Sequence, residues 1–99
     1  MRVGRLEDFP LGKVRVVRIE GERVAICNVD GTLYAVEDRC THDDGPLGEG
    51  ELEGCEIECP RHGARFDVRD GSVTQMPAVY PIETFELEVV DGQVYVSLD

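Results

Sequence analysis

Two short segments that each contain one cysteine and one histidine constrain this chain most strongly. Cys40 and His42 have the spacing C-x-H, and Cys59 and His62 have the spacing C-x-x-H. The chain contains no other histidine. Thiolate and imidazole groups are common ligands of zinc and of iron–sulfur clusters in proteins. The pattern therefore predicts a metal site that the two segments build together.

Length and charge limit the classes of protein to be considered. The 99 residues have the size of one small domain, and we expect residues 1–99 to form it. The formal net charge of −11 disfavours binding to nucleic acids and to anionic membranes. Residues 1–10 lack the apolar core of a signal peptide, and no apolar run is long enough to span a bilayer. We therefore expect a cytoplasmic monomer whose cysteines are ligands or thiols, not disulfides.

Turn signals and alternating apolar residues predict an all-β fold. Asp-Gly pairs flanked by β-branched residues begin at Asp30, Asp70 and Asp91. Such pairs favour tight hairpin turns because both central positions need a positive φ. A further turn is predicted at Gly21 and Glu22, and the clearest hairpin joins residues 85–90 to residues 93–98. No window longer than ten residues has a helical apolar stripe, so we predict a small antiparallel β sandwich or barrel.

The stretch from about residue 39 to residue 80 differs from the rest because glycine and proline are frequent in it. We interpret it as a loop-rich metal-binding subdomain set within the strand framework. Cys27 and Cys55 are interpreted as core thiols, because free cysteine behaves as a small hydrophobic residue. A disulfide or a fifth ligand is the alternative for Cys55. The three tyrosines are interpreted as sheet residues: Tyr34, Tyr80 and Tyr95.

Two kinds of metal site suit the four ligands. A closed tetrahedral zinc site takes two cysteines and two histidines. A 2Fe–2S cluster takes the same set when two histidines replace two cysteines on one iron. Zinc fingers usually place both cysteines on one turn and both histidines on a helix, whereas each segment here has one of each. The mixture favours the iron cluster, and Gly45 and Gly63 would let backbone N–H groups approach its sulfides.

The segments C-T-H-D-D-G-P-L and C-P-R-H-G-A-R-F resemble the two cluster-binding loops of the Rieske family. The resemblance covers most of the chain and includes Pro77, where the family has a proline loop near the cluster. It implies a Rieske-like fold with a cluster-binding subdomain at residues 39–80 and one 2Fe–2S cluster. Cys40 and Cys59 would bind the buried iron. His42 and His62 would bind the outer iron through Nδ1.

This sequence differs from the respiratory and photosynthetic Rieske subunits at positions that affect a loop disulfide and the reduction potential. Those subunits have a loop disulfide at positions that are Gly45 and Arg61 here, so the resemblance implies no such bridge. They also have Ser and Tyr hydroxyls near the cluster, where this chain has Ala64 and Phe66. At about 1 to 1.5 kcal/mol per hydrogen bond, each missing bond lowers the reduction potential by roughly 40 to 65 mV. We expect a potential at the low end of the Rieske range, which spans about −150 to +300 mV.

The resemblance implies an electron-transfer protein and not an enzyme. A Rieske oxygenase also needs a mononuclear iron held by two histidines and a carboxylate, and this chain has no histidine to spare. What the family then implies is a ferredoxin that carries one electron at a time from a flavin-dependent ferredoxin reductase to a terminal oxygenase, typically of aromatic compounds. His42 and His62 would lie at the docking surface, with Pro46, Leu47 and Pro77 as apolar contacts around them. Loop stiffness and packing are the alternative interpretation of these three residues, and for Leu47 this alternative is favoured at least equally.

Two other roles stay open. The small subunit of assimilatory nitrite reductase resembles the Rieske fold but usually lacks the ligands, and a role in iron–sulfur assembly or another redox process is also compatible with the residues. An acidic run is interpreted as a solvated strand face, with a docking patch for a basic reductase as the alternative; it comprises Glu49, Glu51, Glu53, Glu56 and Glu58.

Overall fold

A computed structural model describes residues 1–41 and 45–98 of the chain. The described residues form ten strands and no α-helix, so the prediction of an all-β fold is confirmed. The strands are β1 (Arg2–Arg5), β2 (Val14–Ile19), β3 (Glu22–Val29), β4 (Thr32–Glu37), β5 (Leu52–Glu53), β6 (Glu56–Glu58), β7 (Arg65–Asp67), β8 (Val73–Gln75), β9 (Thr84–Val90) and β10 (Gln93–Ser97). Two single 3-10 turns occur at Leu6–Asp8 and Leu47–Glu49.

The strands form two antiparallel sheets. The larger sheet has the order β1-β10-β9-β4-β3-β2 and contains both ends of the described chain. The smaller sheet has the order β5-β6-β7-β8 and lies entirely within the glycine- and proline-rich stretch. The larger sheet is therefore a framework built from the flanking sequence, and the smaller sheet belongs to the segment that contains the predicted ligands.

Tight turns set the register of the framework strands. Asp30 and Gly31 join β3 to β4, and Asp91 and Gly92 join β9 to β10. All four residues have a positive φ, between 49° and 95°. This geometry matches the right-handed twist of the strands that the turns connect. The predicted turns at Asp30 and Asp91 and the predicted final hairpin are confirmed.

Two other turn predictions were wrong in detail. The turn between β2 and β3 has Glu20 and Gly21 at its centre, one residue earlier than predicted, because glycine takes the second central position. Residues 68–72, which include Asp70, form a longer connection between β7 and β8. In that connection Gly71 donates its N–H to the carbonyl of Asp67 (2.7 Å). The hydrogen bond from Arg69 to the Asp67 carboxylate lowers the pKa of Asp67 and helps to fix the loop.

Strand β3 is buried on both faces and divides the apolar interior in two. Alternate residues of a strand point to opposite faces, so Val24 and Ile26 contact one core while Ala25 and Cys27 contact the other. The base core lies inside the framework and comprises Phe9, Ile19, Val24, Ile26, Leu33, Ala35, Val94 and Val96. The site core lies between the framework and the smaller sheet and comprises Ala25, Cys27, Val36, Cys40, Leu47, Ile57, Cys59, Ala64, Phe66, Val68, Ala78 and Ile82.

Three predictions about single residues also need correction. Cys55 lies in the turn between β5 and β6 and is partly exposed, so it is not a core residue, whereas Cys27 is buried as predicted. Cys55 is a thiol and not half of a disulfide. Tyr80 is not a strand residue, and its side chain is largely exposed. Leu47 is fully buried in the site core, so the packing alternative is confirmed for it and it is not an apolar contact on the surface.

Replacement of Gly50 tests how closely the two ligand-bearing regions pack. A Cβ atom at this position would lie 1.7 Å from the carbonyl oxygen of Glu58, the residue before Cys59. Since that neighbour is backbone, we expect Gly50→Ala to lower the free energy of unfolding by about 3 kcal/mol or more. Urea unfolding followed by far-UV circular dichroism measures it.

The matched control is Gly54→Ala. Gly54 has a φ of 60° but no atom within 4 Å of the added Cβ, so only backbone strain of about 1 to 2 kcal/mol applies. Equal losses for Gly50→Ala and Gly54→Ala would contradict the close approach.

Candidate metal centre

Two loops with the same backbone hydrogen bond present the predicted cysteines. The N–H of Cys40 donates to the carbonyl of Gly45 (2.7 Å), and the N–H of Cys59 donates to the carbonyl of Ala64 (2.7 Å). In each loop the bond joins the cysteine to the fifth residue after it. The first ligand loop comprises residues 40–45, and the second comprises residues 59–64. Each bond ties a cysteine to the far end of its loop, which helps to fix the position of that cysteine.

Both cysteines are buried in the same apolar cluster. Cys40 is 0 % exposed and Cys59 is 1 % exposed, and both belong to the site core. His62, by contrast, lies in the exposed part of the second loop. His42 lies outside the described residues. The structure thus brings the two predicted thiolate ligands together inside and leaves the imidazole of the second loop at the surface.

Asp38, which the sequence analysis did not identify, anchors the first ligand loop to the framework. Its side chain is 3 % exposed and accepts a hydrogen bond from the N–H of Gly48 (2.5 Å). Its own N–H donates to the carbonyl of Arg23 on β3 (3.1 Å). Both ends of residues 38–48 are held in this way. Buried carboxylates need such partners, so Asp38 is committed to this structural role.

The second ligand loop lies at the tip of the β6–β7 hairpin. Glu58 and Arg65 are cross-strand neighbours at the base of the loop, and Arg65 Nη2 lies 3.5 Å from Glu58 Oε2. Arg65 Nη1 also lies 3.3 Å from Glu56 and 3.7 Å from Glu53. The hydrogen bond with Glu56 and the adjacent carboxylates raise the pKa of Arg65. The acidic run is therefore not simply a solvated face, because three of its members lie close to one guanidinium.

A third segment, residues 75–80, connects both ligand loops. The side-chain amide of Gln75 donates to the carbonyl of Gly63 in the second loop (2.8 Å). The hydroxyl of Thr41 in the first loop donates to the carbonyl of Tyr80 (2.6 Å). This segment includes Pro77, which the sequence analysis placed near the cluster. Its hydrogen bonds to the loops join distant parts of the chain, and no local sequence pattern indicates them.

The same segment carries exposed apolar side chains. Met76 is 77 % exposed, Val79 is 70 % exposed and Tyr80 is 68 % exposed. Pro46 and Pro77 are half-buried. Because Leu47 is buried, the apolar surface beside the ligand loops is formed by Met76, Val79 and Tyr80 in its place.

Cys27 shares the site core with Cys40 and Cys59 but differs in chemistry. Burial and, to a lesser degree, the nearby Asp38 carboxylate raise the pKa of the Cys27 thiol to about 12. A metal ligand or nucleophile must be a thiolate. Cys27 is therefore a neutral packing residue at physiological pH.

Comparison with known protein families and sequences shows which proteins this chain is related to. The family model of the Rieske [2Fe-2S] domain matches residues 1–86. The ferredoxin component of the naphthalene 1,2-dioxygenase/salicylate 5-hydroxylase systems of Ralstonia sp. is 36% identical over 94 residues, which are 95% of this chain and 90% of the relative. Ferredoxin CarAc of Metapseudomonas resinovorans is 40% identical over 98 residues, which are 98% of this chain and 92% of the relative.

The chain belongs to the Rieske [2Fe-2S] family. A solved complex of reduced oxygenase and oxidized ferredoxin in carbazole 1,9a-dioxygenase contains a chain with a TM-score of 0.93 and 40% identity, with coverage of 98% of this chain and 100% of that one. The small subunit of a putative nitrite reductase has a TM-score of 0.84 at 24% identity, which shows the fold alone; the match covers 98% of each chain. The related ferredoxin components are electron carriers and not catalytic subunits.

The donor set fits the cluster that the family name specifies. Soft thiolate ligands suit iron–sulfur clusters, and the two cysteines concerned are buried among apolar side chains, which favours a centre without net charge. Within the described part of the chain, no helix is long and apolar enough to cross a membrane.

Alkylation distinguishes the two remaining thiols. With iodoacetamide at pH 8, we expect Cys55 to be modified and Cys27 to be unmodified, because Cys27 is buried and its pKa is about 12. Peptide mass spectrometry measures both rates on the native protein. In urea both residues should react. A native rate for Cys27 equal to that of Cys55 would contradict the assignment.

Proposed function

We propose that this chain is a one-electron carrier that holds one Rieske 2Fe–2S cluster through Cys40, Cys59, His42 and His62. It accepts electrons from a flavin-dependent ferredoxin reductase and passes them to a terminal oxygenase by transient docking. Its family and its related ferredoxin components support the carrier role. The assignment of the four ligands is our inference from their spacing and from the loops.

The observation that carries the proposal is the pairing of the two loops. Cys40 and Cys59 each donate their N–H to the carbonyl of the fifth residue after them and lie buried in one core, whereas His62 is exposed. Each loop supplies one cysteine and one histidine, and this pairing suits a 2Fe–2S cluster in which two thiolates would bind one iron and two imidazoles the other.

When bound, the cluster would supply reversible one-electron chemistry. The protein's contribution is to keep water from the thiolates and to leave one edge accessible. The site core surrounds Cys40 and Cys59 with apolar side chains, among them Leu47 and Phe66. His62 is exposed and would hold the cluster at a surface that a docked partner can approach.

The docking surface that we propose lies beside the ligand loops. Met76, Val79 and Tyr80 are exposed there and are available to a partner protein. Of the acidic run, Glu49, Glu51 and Glu53 are exposed, so a role in docking to a basic reductase stays a prediction.

We propose that residues 1–99 form a single domain, with residues 39–80 as the cluster-binding subdomain. The support is the smaller sheet, which is built entirely from within that subdomain. We also propose that the protein acts in the cytoplasm as a monomer. A role as accessory subunit of nitrite reductase is disfavoured because the chain has all four ligand residues, and the likeness to that subunit extends to the fold only.

The direct experiment is to purify the protein anaerobically and record its iron content, absorption spectrum and electron paramagnetic resonance spectrum. We expect two irons per chain and the spectrum of a Rieske cluster after reduction. Cys40→Ser and Cys59→Ser should abolish the cluster, whereas the control Cys55→Ser should retain it. A colourless protein that contains zinc and no iron would refute the proposal.

Two substitutions test the reduction potential that we expect. Ala64 and Phe66 are buried in the site core with both cysteines, so hydroxyl groups at these positions would lie close to the ligands. Ala64→Ser and Phe66→Tyr should each raise the potential by roughly 40 to 65 mV, because a hydrogen bond to the ligand set stabilises the more negative reduced state. Protein-film voltammetry measures the shift.

The matched control for the second variant is Phe85→Tyr. Phe85 packs against the base core, on the other side of β3 and β4, so its hydroxyl should leave the potential unchanged. An unchanged or lowered potential in both Ala64→Ser and Phe66→Tyr would refute this explanation.

A further inference from the structure

Gln75 reaches the second ligand loop because of an irregularity in the smaller sheet. Arg65 on β7 pairs with Gln75 on β8, whereas the next residue, Phe66, pairs with Val73. Thr74 is therefore an extra residue on β8, which defines a β-bulge. Bulges bend the strand and redirect the following side chain, and they are frequent next to functional sites. Here the redirected side chain is that of Gln75, whose Nε2 donates to the carbonyl of Gly63 (2.8 Å).

The hydrogen bond from Gln75 is one of two that hold Gly63 in the second ligand loop. The N–H of Gly63 donates to the carbonyl of Cys59 (3.1 Å), and its carbonyl accepts from Gln75. Gly63 has a φ of 78°, in the left-handed region that favours glycine. Both peptide units of this residue, which directly follows His62, are thus held by separate hydrogen bonds. The first of these bonds is internal to the loop, and the second ties the loop to β8.

We infer that Gln75 is a positioning residue for the second ligand loop, fixing the chain that follows His62 through the carbonyl of Gly63. The inference rests on the proposed function, since the consequence concerns the bound cluster. Tyr80, at the other end of residues 75–80, accepts the hydrogen bond of Thr41 from the first loop. Release of Gln75 therefore removes the hydrogen bond between the second loop and residues 75–80, which also contact the first loop.

The test compares three variants of the cluster-containing protein. Gln75→Met keeps the length of the side chain but removes the donor. Gln75→Glu places a carboxylate opposite the Gly63 carbonyl, in a region where Glu58 already supplies negative charge. Thr74→Glu adds the same charge at the bulge but retains Gln75. The rate of cluster bleaching in excess chelator and the resonance spectrum of the reduced cluster are recorded for each.

We expect Gln75→Met to bleach about two- to tenfold faster than the wild type, which corresponds to one lost hydrogen bond. Gln75→Glu should bleach faster still, and both variants should broaden or shift the resonance lines. Thr74→Glu should resemble the wild type in both measurements. A purely structural effect would lower the unfolding temperature without changing the resonance lines, and that outcome would overturn the inference.

The failure of this inference differs from the failure of the proposed function. If the wild type shows the Rieske spectrum but Gln75→Met and Gln75→Glu bleach at the wild-type rate, the inference about Gln75 is wrong and the electron-carrier proposal is unaffected. If the wild type itself has no iron cluster, the proposed function is wrong and the inference fails with it.

Discussion

The burial of Cys40 and Cys59, the first residues of the two ligand loops, in the site core with residues of β3 and β4 is the constraint on which the rest of the structure depends. β3 contributes Val24 and Ile26 to the base core. It contributes Ala25 and Cys27 to the site core, so the same strand packs against the site on one face and against the framework interior on the other. Each large apolar side chain buried in these cores contributes about 1.5 to 3 kcal/mol. The framework can therefore hold the second loop in place although residues 59–64 form no strand or helix.

Backbone hydrogen bonds and a few polar side chains then fix the loops against this face of β3. Asp38 and Gly48 close residues 38–48, and the ion pairs of Arg65 close the base of the second loop. Residues 75–80 join the two loops through Gln75 and Thr41. The first bonds brace the residues on either side of the loops and the last two tie the loops to residues 75–80, so Cys40 and Cys59 are held by several parts of the fold. These contacts explain how a short chain can bury Cys40 and Cys59 among apolar side chains and still leave His62 exposed.

Much of this arrangement could be predicted from the sequence, because its signals are local. The spacing of the cysteines and histidines and the Asp-Gly turns at Asp30 and Asp91 need no knowledge of distant contacts. The remaining features are long-range. Asp70 precedes a glycine yet begins no two-residue turn, since Asp67 and Arg69 organise a longer loop there. Likewise, the burial of Leu47, the exposure of Cys55 and the reach of Gln75 depend on which segments pack against them.

The central claim is that two cysteines and two histidines from the paired loops hold one two-iron cluster. The chain offers a direct measurement, because His42 and His62 are its only histidines. With ¹⁵N-labelled histidine as the sole label, pulsed electron–nuclear spectroscopy of the reduced protein should detect two strongly coupled ¹⁵N nuclei. In His62→Ala, one or both of these couplings should disappear. A reduced cluster with no coupled histidine nitrogen would contradict the account.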